Sequence, residues 1–233
     1  MGMREIQVAG KTLVVFEHDD VYDNVTGRAL TGSWIWESAL VLAEWMTTQG
    51  HLDFPFQGKT VIELGAGAGL PGLTAALLGA DRVVLTDVDT LLPGLLKNVE
   101  ANGLGDRVEV RRLVWGSDES LSELECGEFD LVLMSDVFLD TEETARLAKT
   151  LRRVCREGTR IWAASEVRPW TIECLNELTK EGFGLAELMK PEPADNENDS
   201  LDSFAVFCLT PDNNHVAIQD NHPEMDKRWG GLV

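Results

Sequence analysis

The stretch Val61-Ile62-Glu63-Leu64-Gly65-Ala66-Gly67-Ala68-Gly69-Leu70-Pro71-Gly72 decides how this chain is read. A short, largely apolar strand runs into a glycine-rich turn, and an apolar helix follows until Gly79 stops it. Outward from there the alternation repeats. Val83 to Thr86 reads as a second strand ending at Asp87, Leu91 to Ala101 as a helix closed by Asn102-Gly103, and Val108 to Val114 as a third strand. Phe129 to Met134 is almost wholly apolar, as a strand buried on both faces of a parallel sheet must be. A helix is predicted over 142–156, a fifth strand over 160–164 and a helix over 171–180. Phe183 to Met189 and Phe204 to Leu209 are strands with no helix between them, so an antiparallel hairpin closes the sheet. Strand-helix repetition with that ending gives an α/β, doubly wound fold.

Before this core, residues 5–16 read as two short strands around Gly10, and the Trp34-Ile35-Trp36-Glu37 segment leads into a helix through Met46. We therefore expect an N-terminal β-hairpin extension over 1–30, one main domain over 31–210 and a polar tail over 211–233. Of the 233 residues, 44% are hydrophobic and 26% charged, enough apolar material for a sizeable core. Forty acidic against twenty basic residues leave a net charge of −20. Such a surface repels phosphate backbones and anionic membranes, so neither a nucleic acid nor a membrane is expected as partner, whereas a basic protein segment is. No stretch approaches the roughly 20 apolar residues that span a bilayer, and Met1 to Val8 lacks a signal core. The four cysteines show no C-x-x-C and the four histidines no ligand spacing, so reduced thiols, no metal and a cytoplasmic or nuclear monomer are expected.

In a doubly wound sheet the ligand sits at the carboxyl ends of the strands. Gly65, Ala66 and Gly67 allow backbone to approach a ligand closely, and the helix after them offers N–H groups. Asp87, 22 residues beyond Gly65 and at the end of the next strand, suits both hydroxyls of a ribose. Together they point to an adenosine-containing ligand. A dinucleotide and S-adenosylmethionine both fit, since Gly67 to Gly72 spells G-x-G-x-x-G. Glu63 at the strand's mouth would repel a diphosphate but meet an ammonium, and Pro71 interrupts the phosphate turn; both favour S-adenosylmethionine over a nicotinamide cofactor.

With Thr31-Gly32-Ser33-Trp34-Ile35-Trp36-Glu37, Glu63 to Gly69, Asp87, Leu113-Val114-Trp115-Gly116 and Phe129 to Asp136 in this order, the chain resembles the seven-strand methyltransferases of family 16. That family includes protein-lysine methyltransferases acting on chaperones and elongation factors. The resemblance, over about residues 5–210, implies a Rossmann-like seven-strand methyltransferase sheet and S-adenosyl-L-methionine as cofactor, with S-adenosyl-L-homocysteine as product. It also implies roles. Trp36 would cover the methionine end; Gly65, Ala66 and Gly67 would line the cofactor with backbone; Asp87 would hold the ribose. Trp115 would pack near the adenine, Ser135 would touch the cofactor, and Asp136 would face the substrate amine. One departure stands out. Lysine-methylating members carry Asp-x-x-Tyr after the fourth strand, and here the run is Asp136-Val137-Phe138-Leu139. Trp170, in Ser165-Glu166-Val167-Arg168-Pro169-Trp170, is expected to supply the missing aromatic wall, with Glu166 and Arg168 at the rim. The implied activity is methyl transfer to a protein lysine. An NAD(P)-dependent oxidoreductase or a non-catalytic S-adenosylmethionine-binding module would account for the same glycine loop and acid.

Overall fold

A computed structural model describes residues 2–17, 31–124, 129–189 and 203–211. The acidic loop with Asp19, Asp20 and Asp23, the 192–202 loop, Cys126 and the tail after Pro211 lie outside the described residues.

Strands β1 (Gly2–Val8) and β2 (Lys11–Glu17) form a separate antiparallel hairpin. A 3-10 turn at Thr31–Ser33 leads into α1 (Glu37–Trp45), a π turn at Met46–Gly50 and the single-turn α2 (His51–Asp53). Then come β3 (Thr60–Leu64), α3 (Leu70–Leu77), β4 (Arg82–Asp87), α4 (Leu92–Ala101) and β5 (Val108–Arg112). The second half is α5 (Asp118–Glu123), β6 (Phe129–Ser135), α6 (Thr141–Val154), β7 (Cys155–Glu166), α7 (Pro169–Lys180), β8 (Phe183–Met189) and β9 (Phe204–Pro211).

The seven-stranded sheet runs β5-β4-β3-β6-β7-β9-β8, with only β9 antiparallel to its neighbours. The expected mixed sheet and both hairpins are therefore present. The terminal hairpin inserts its second strand inward: β9, with Ala205, Val206, Phe207 and Leu209 buried, pairs with β7, and β8 takes the edge. Chain direction across the sheet reverses between β3 and β6, which opens a crevice at their carboxyl ends.

Two apolar layers cover the sheet. One contains Leu42 of α1, Leu70 and Leu73 of α3, and Leu95 and Val99 of α4; it packs on Val61, Leu85 and Leu133. The other contains Leu121 of α5, Leu147 and Leu151 of α6, and Leu175 and Leu178 of α7; it packs on Ile62, Leu64 and Val132. Residues of opposite parity along β3 thus face opposite layers, as a period of two requires.

The N-terminal hairpin is fastened by a device that periodicity does not reveal. Asn98 of α4 and Asn102, at its C-cap, lie one turn apart. The Val14 N–H donates to Asn102 Oδ1 and the Phe16 N–H to Asn98 Oδ1, each at 2.8 Å. Both side-chain amides donate back to the carbonyls of the same two residues. Asn98 Nδ2 also donates to Ala68 O at 3.0 Å, so one buried amide joins β2, α4 and the glycine loop.

The short α5 is absent from the sequence-based expectation because its segment is polar. Ser117 caps it, accepting from the Ser120 N–H at 3.3 Å. Strand β7 begins at Cys155, five residues earlier than expected, because α6 ends at Val154 and the Arg156 N–H turns to Thr159 Oγ1. Among the described cysteines, Cys174 is buried and Cys155 and Cys208 are half-buried, all three as free thiols. No described helix is long and apolar enough to cross a membrane.

Candidate active site

A cavity of about 730 Å³ occupies the crevice at the carboxyl ends of β3, β4 and β6. Of the nine residues expected to hold the cofactor or the acceptor, eight line it: Trp36, Gly65, Ala66, Gly67, Asp87, Trp115, Ser135 and Asp136, and Arg168 from the expected rim joins them.

The glycine loop is shaped by close approach. Gly65, Gly67 and Gly69 all have positive φ, at 65°, 55° and 83°. A Cβ on Gly65 would sit 2.9 Å from the Trp115 ring, and one on Gly67 would sit 2.4 Å from the Gly32 carbonyl oxygen. The loop floor therefore touches an indole on one side and backbone on the other. Gly67→Ala is expected to cost about 2 kcal/mol of stability, combining left-handed strain with a backbone clash. Chemical denaturation with a matched cofactor titration checks this, because the displaced Gly32 also lines the cavity.

The N–H groups of the three glycines in the G-x-G-x-x-G run, Gly67, Gly69 and Gly72, have other partners. The Gly67 N–H donates to Asp87 Oδ2 at 2.8 Å, and the Gly69 N–H to Ala66 O at 2.7 Å. Pro71 has no N–H, and the Gly72 N–H donates to Glu63 Oε2 at 2.8 Å. Two of these donors thus already serve side-chain carboxyl groups. A phosphate would have to displace them, whereas a ribose hydroxyl can use the remaining lone pairs of Asp87.

Glu63 does not stand where the sequence reading put it. Its side chain is 0% exposed, lies beneath α3 rather than on the cavity wall, and leaves Oε1 without a partner among the described residues. Burial pushes its carboxyl up to about 8; the Gly72 N–H opposes this and the charge of Asp87 adds to it. At neutral pH it is protonated. Glu63 therefore has neither the position nor the charge to meet an ammonium in the cavity. Its parity with Val61 explains why: both side chains point into the layer under α3.

Asp87 lies at the end of β4, on the cavity wall, and accepts from the Gly67 and Val88 N–H groups. Burial raises its pKa, and the two N–H groups hold it down. Trp36, 39% exposed, precedes α1 in extended conformation, with the Trp34 ring 6.3 Å away. Trp36 is exposed and Trp115 half-buried against the second core layer, and both stand at the cavity. Trp34, Leu91 and Val114 join them as apolar walls that spacing did not single out.

Across the cavity, β6 ends in Ser135 and Asp136. Asp136 has φ of +53°, unusual for a side chain other than glycine, while its N–H still donates to Ala164 O at 2.9 Å. Strand pairing holds the backbone and the left-handed twist turns the carboxylate to the cavity. Burial raises its pKa, the Arg168 charge lowers it and Glu166 raises it. Beyond it, Phe138 is buried edge-on against Phe207, whereas Leu139 is 58% exposed and lines the cavity. Trp170 does not form the expected aromatic wall. It is 43% exposed and lies under Arg168, which itself reaches the cavity.

The family described as "Lysine methyltransferase" matches residues 21–180. This chain belongs to the lysine methyltransferase family. It is similar to a mouse protein named EEF1A lysine methyltransferase 3, 36% identical over 149 residues, covering 64% of this chain and 61% of that one. It is also similar to mouse protein N-lysine methyltransferase METTL21A, 36% identical over 137 residues, covering 58% and 60%. The chain thus spans about three fifths of the length of these curated relatives. A ribosomal protein L11 methylase from Lactobacillus delbrueckii subsp. bulgaricus shares the fold at a TM-score of 0.58 and 18% identity, covering 77% of this chain and 81% of that one. So does the [4+2]-cyclase SpnF, at 0.55 and 14%, covering 75% and 79%. A lysine methyltransferase family member and a cyclase on one fold show that the architecture alone does not set the reaction.

Proposed function

We propose that this protein is an S-adenosylmethionine-dependent N-methyltransferase that modifies a lysine side chain of a protein. The observation carrying this reading is the engagement of the glycine-loop N–H groups by Asp87 and Glu63, with Asp87 on one cavity wall and Asp136 on the other. That arrangement suits a ribose-bearing ligand without phosphate, and a cationic acceptor opposite it.

Gly65, Ala66 and Gly67 would hold the cofactor with backbone, Asp87 its ribose, Trp36 and Trp115 its two ends, and Ser135 would contact it from β6. When bound, S-adenosylmethionine supplies a methyl group on a positively charged sulfur. The chain's own residues prepare the acceptor. Deprotonating a lysine from its ordinary pKa near 10.4 costs roughly 4 kcal/mol at neutral pH. The apolar walls of Trp34, Ile35, Leu139 and Val114 disfavour the ammonium form. The acceptor arrives as the ammonium and gives its proton to solvent; Asp136 then accepts a hydrogen bond from the neutral amine and fixes the direction of its lone pair. The acidic surface supports a basic protein partner, reached by a monomer in the cytoplasm or nucleus.

Calorimetry with S-adenosylmethionine, NAD and NADP tests the cofactor: heat is expected only with the first. Asp87→Ala is expected to weaken that binding about 30-fold, the loss of a charged acceptor for two hydroxyls. Binding of a dinucleotide instead would overturn the reading. Label from the methyl group should appear on lysine in a protein fraction; label confined to another residue type or a small molecule would remove the lysine assignment.

A further inference from the structure

Arg168 occupies the side of the cavity where a cationic acceptor would have to arrive. It stands at the N-cap position of α7, its N–H donating to Thr171 Oγ1, and its guanidinium projects onto the cavity wall. Three groups hold it, and they hold it unequally. Nη2 pairs closely with the Glu166 carboxylate. The guanidinium carbon lies 5.4 Å from the centroid of the Trp170 ring, within cation–π range. Nη1 stands 3.8 Å from Asp136 Oδ1, attracted by charge but beyond hydrogen-bond distance. Of the three contacts, the one to Asp136 can be surrendered while the other two persist.

Asp136 in turn depends on such a neighbour. It is largely shielded from water, faces an apolar cavity, and has Glu166 as a second negative charge nearby. Besides a hydrogen bond from the Ser165 side chain, the Arg168 charge is what compensates its own. An amine entering to about 2.8 Å makes a charge-assisted hydrogen bond that Arg168 does not make from its present position. A neutral or anionic group of the same size brings no such exchange.

We propose that Arg168 is a resident counter-ion of Asp136 that the nitrogen of a cationic acceptor must displace, so that the guanidinium and the acceptor compete for one carboxylate. The proposal rests on the methyltransferase reading for the nature of the acceptor, while the guanidinium and its three contacts are properties of the chain itself. On displacement the guanidinium settles onto Glu166 and Trp170. Arg168 is a positioning residue in this scheme: it keeps Asp136 ionised and then yields.

The experiment titrates the full chain with n-butylammonium chloride, a four-carbon ammonium resembling a lysine side chain, and with n-butanol as its uncharged counterpart. Each series is run with and without S-adenosylhomocysteine at constant ionic strength. Arg168→Gln is expected to bind n-butylammonium about tenfold more tightly than the parent, the scale of one partly screened ion pair. Binding of n-butanol should not change, Arg168→Lys should stay near the parent, and Asp136→Asn should lose the cation in either background. Equal n-butylammonium affinity in parent and Arg168→Gln would overturn the proposal. So would a parallel change for n-butanol, or no cation binding by either protein. Failure of the chain to bind S-adenosylhomocysteine would count against the methyltransferase reading instead, and the series without it would still decide the role of Arg168.

Discussion

Asp136→Ala is expected to lower methyl transfer by about 100-fold or more, the scale on which loss of an orienting contact acts on a displacement reaction. Cofactor affinity should stay within about threefold of the parent, since one peripheral contact at most is lost. Asp136 follows β6, whereas Asp87 ends β4, on the far side of β3. The Asp136 carboxylate touches neither the glycine loop nor the ribose acid in any described hydrogen bond. Removing it therefore takes away the acceptor's partner and leaves the cofactor side intact. Backbone strain needs its own control, because a side chain at φ of +53° is costly for Ala. Asn tolerates that conformation and retains an acceptor oxygen, so Asp136→Asn should fold like the parent and lose only the part of the rate that needs charge. Steady-state rates and cofactor titrations on both variants make the check. A parent-like rate in Asp136→Ala would remove this residue from the mechanism.

Glu63→Gln is expected to change how stability depends on pH. In the unfolded chain the Glu63 carboxyl titrates at its ordinary 4.5, and in the folded protein at about 8. Below 4.5 both states hold the proton and the group is neutral to folding. Between the two values the unfolded state releases the proton and the folded state keeps it, so stability falls as pH rises. Above about 8 the loss is complete, amounting to about 4–5 kcal/mol for a shift of this size. Gln keeps an oxygen for the Gly72 N–H and cannot ionise, so the variant lacks this slope. Other carboxylates, such as Asp130 and Glu109, titrate in both proteins and cancel in the difference. Urea denaturation at intervals from pH 5 to 9 should show the variant gaining on the parent towards alkaline pH. A constant difference across that range would mean that Glu63 is ionised in the folded protein.

Much of the molecule could be read from one dimension. The alternation of apolar strands and helices specified a parallel sheet, and Phe183 to Met189 followed by Phe204 to Leu209 specified the closing hairpin. Glycine spacing, Asp87 and Asp136 identified two walls of the cavity, because strand ends in such a sheet converge on one crevice. These features depend on local geometry: a positive φ demands glycine, and an acid at a strand's end has few places to point.

What the sequence by itself determined, then, is the order of the elements and which strand ends meet. Tertiary structure alone decided where particular side chains go once they meet. Glu63 sits beneath α3 because pleating gives it the parity of Val61, and which face α3 covers is set by packing. Trp170 backs Arg168 rather than the cavity because α7 starts at Pro169, and Asn98 reaches Phe16 across 82 residues. The physical reason is range. Propensity and periodicity act over a few neighbouring residues, whereas burial, charge pairing and amide hydrogen bonds are completed by groups that the chain delivers from far away.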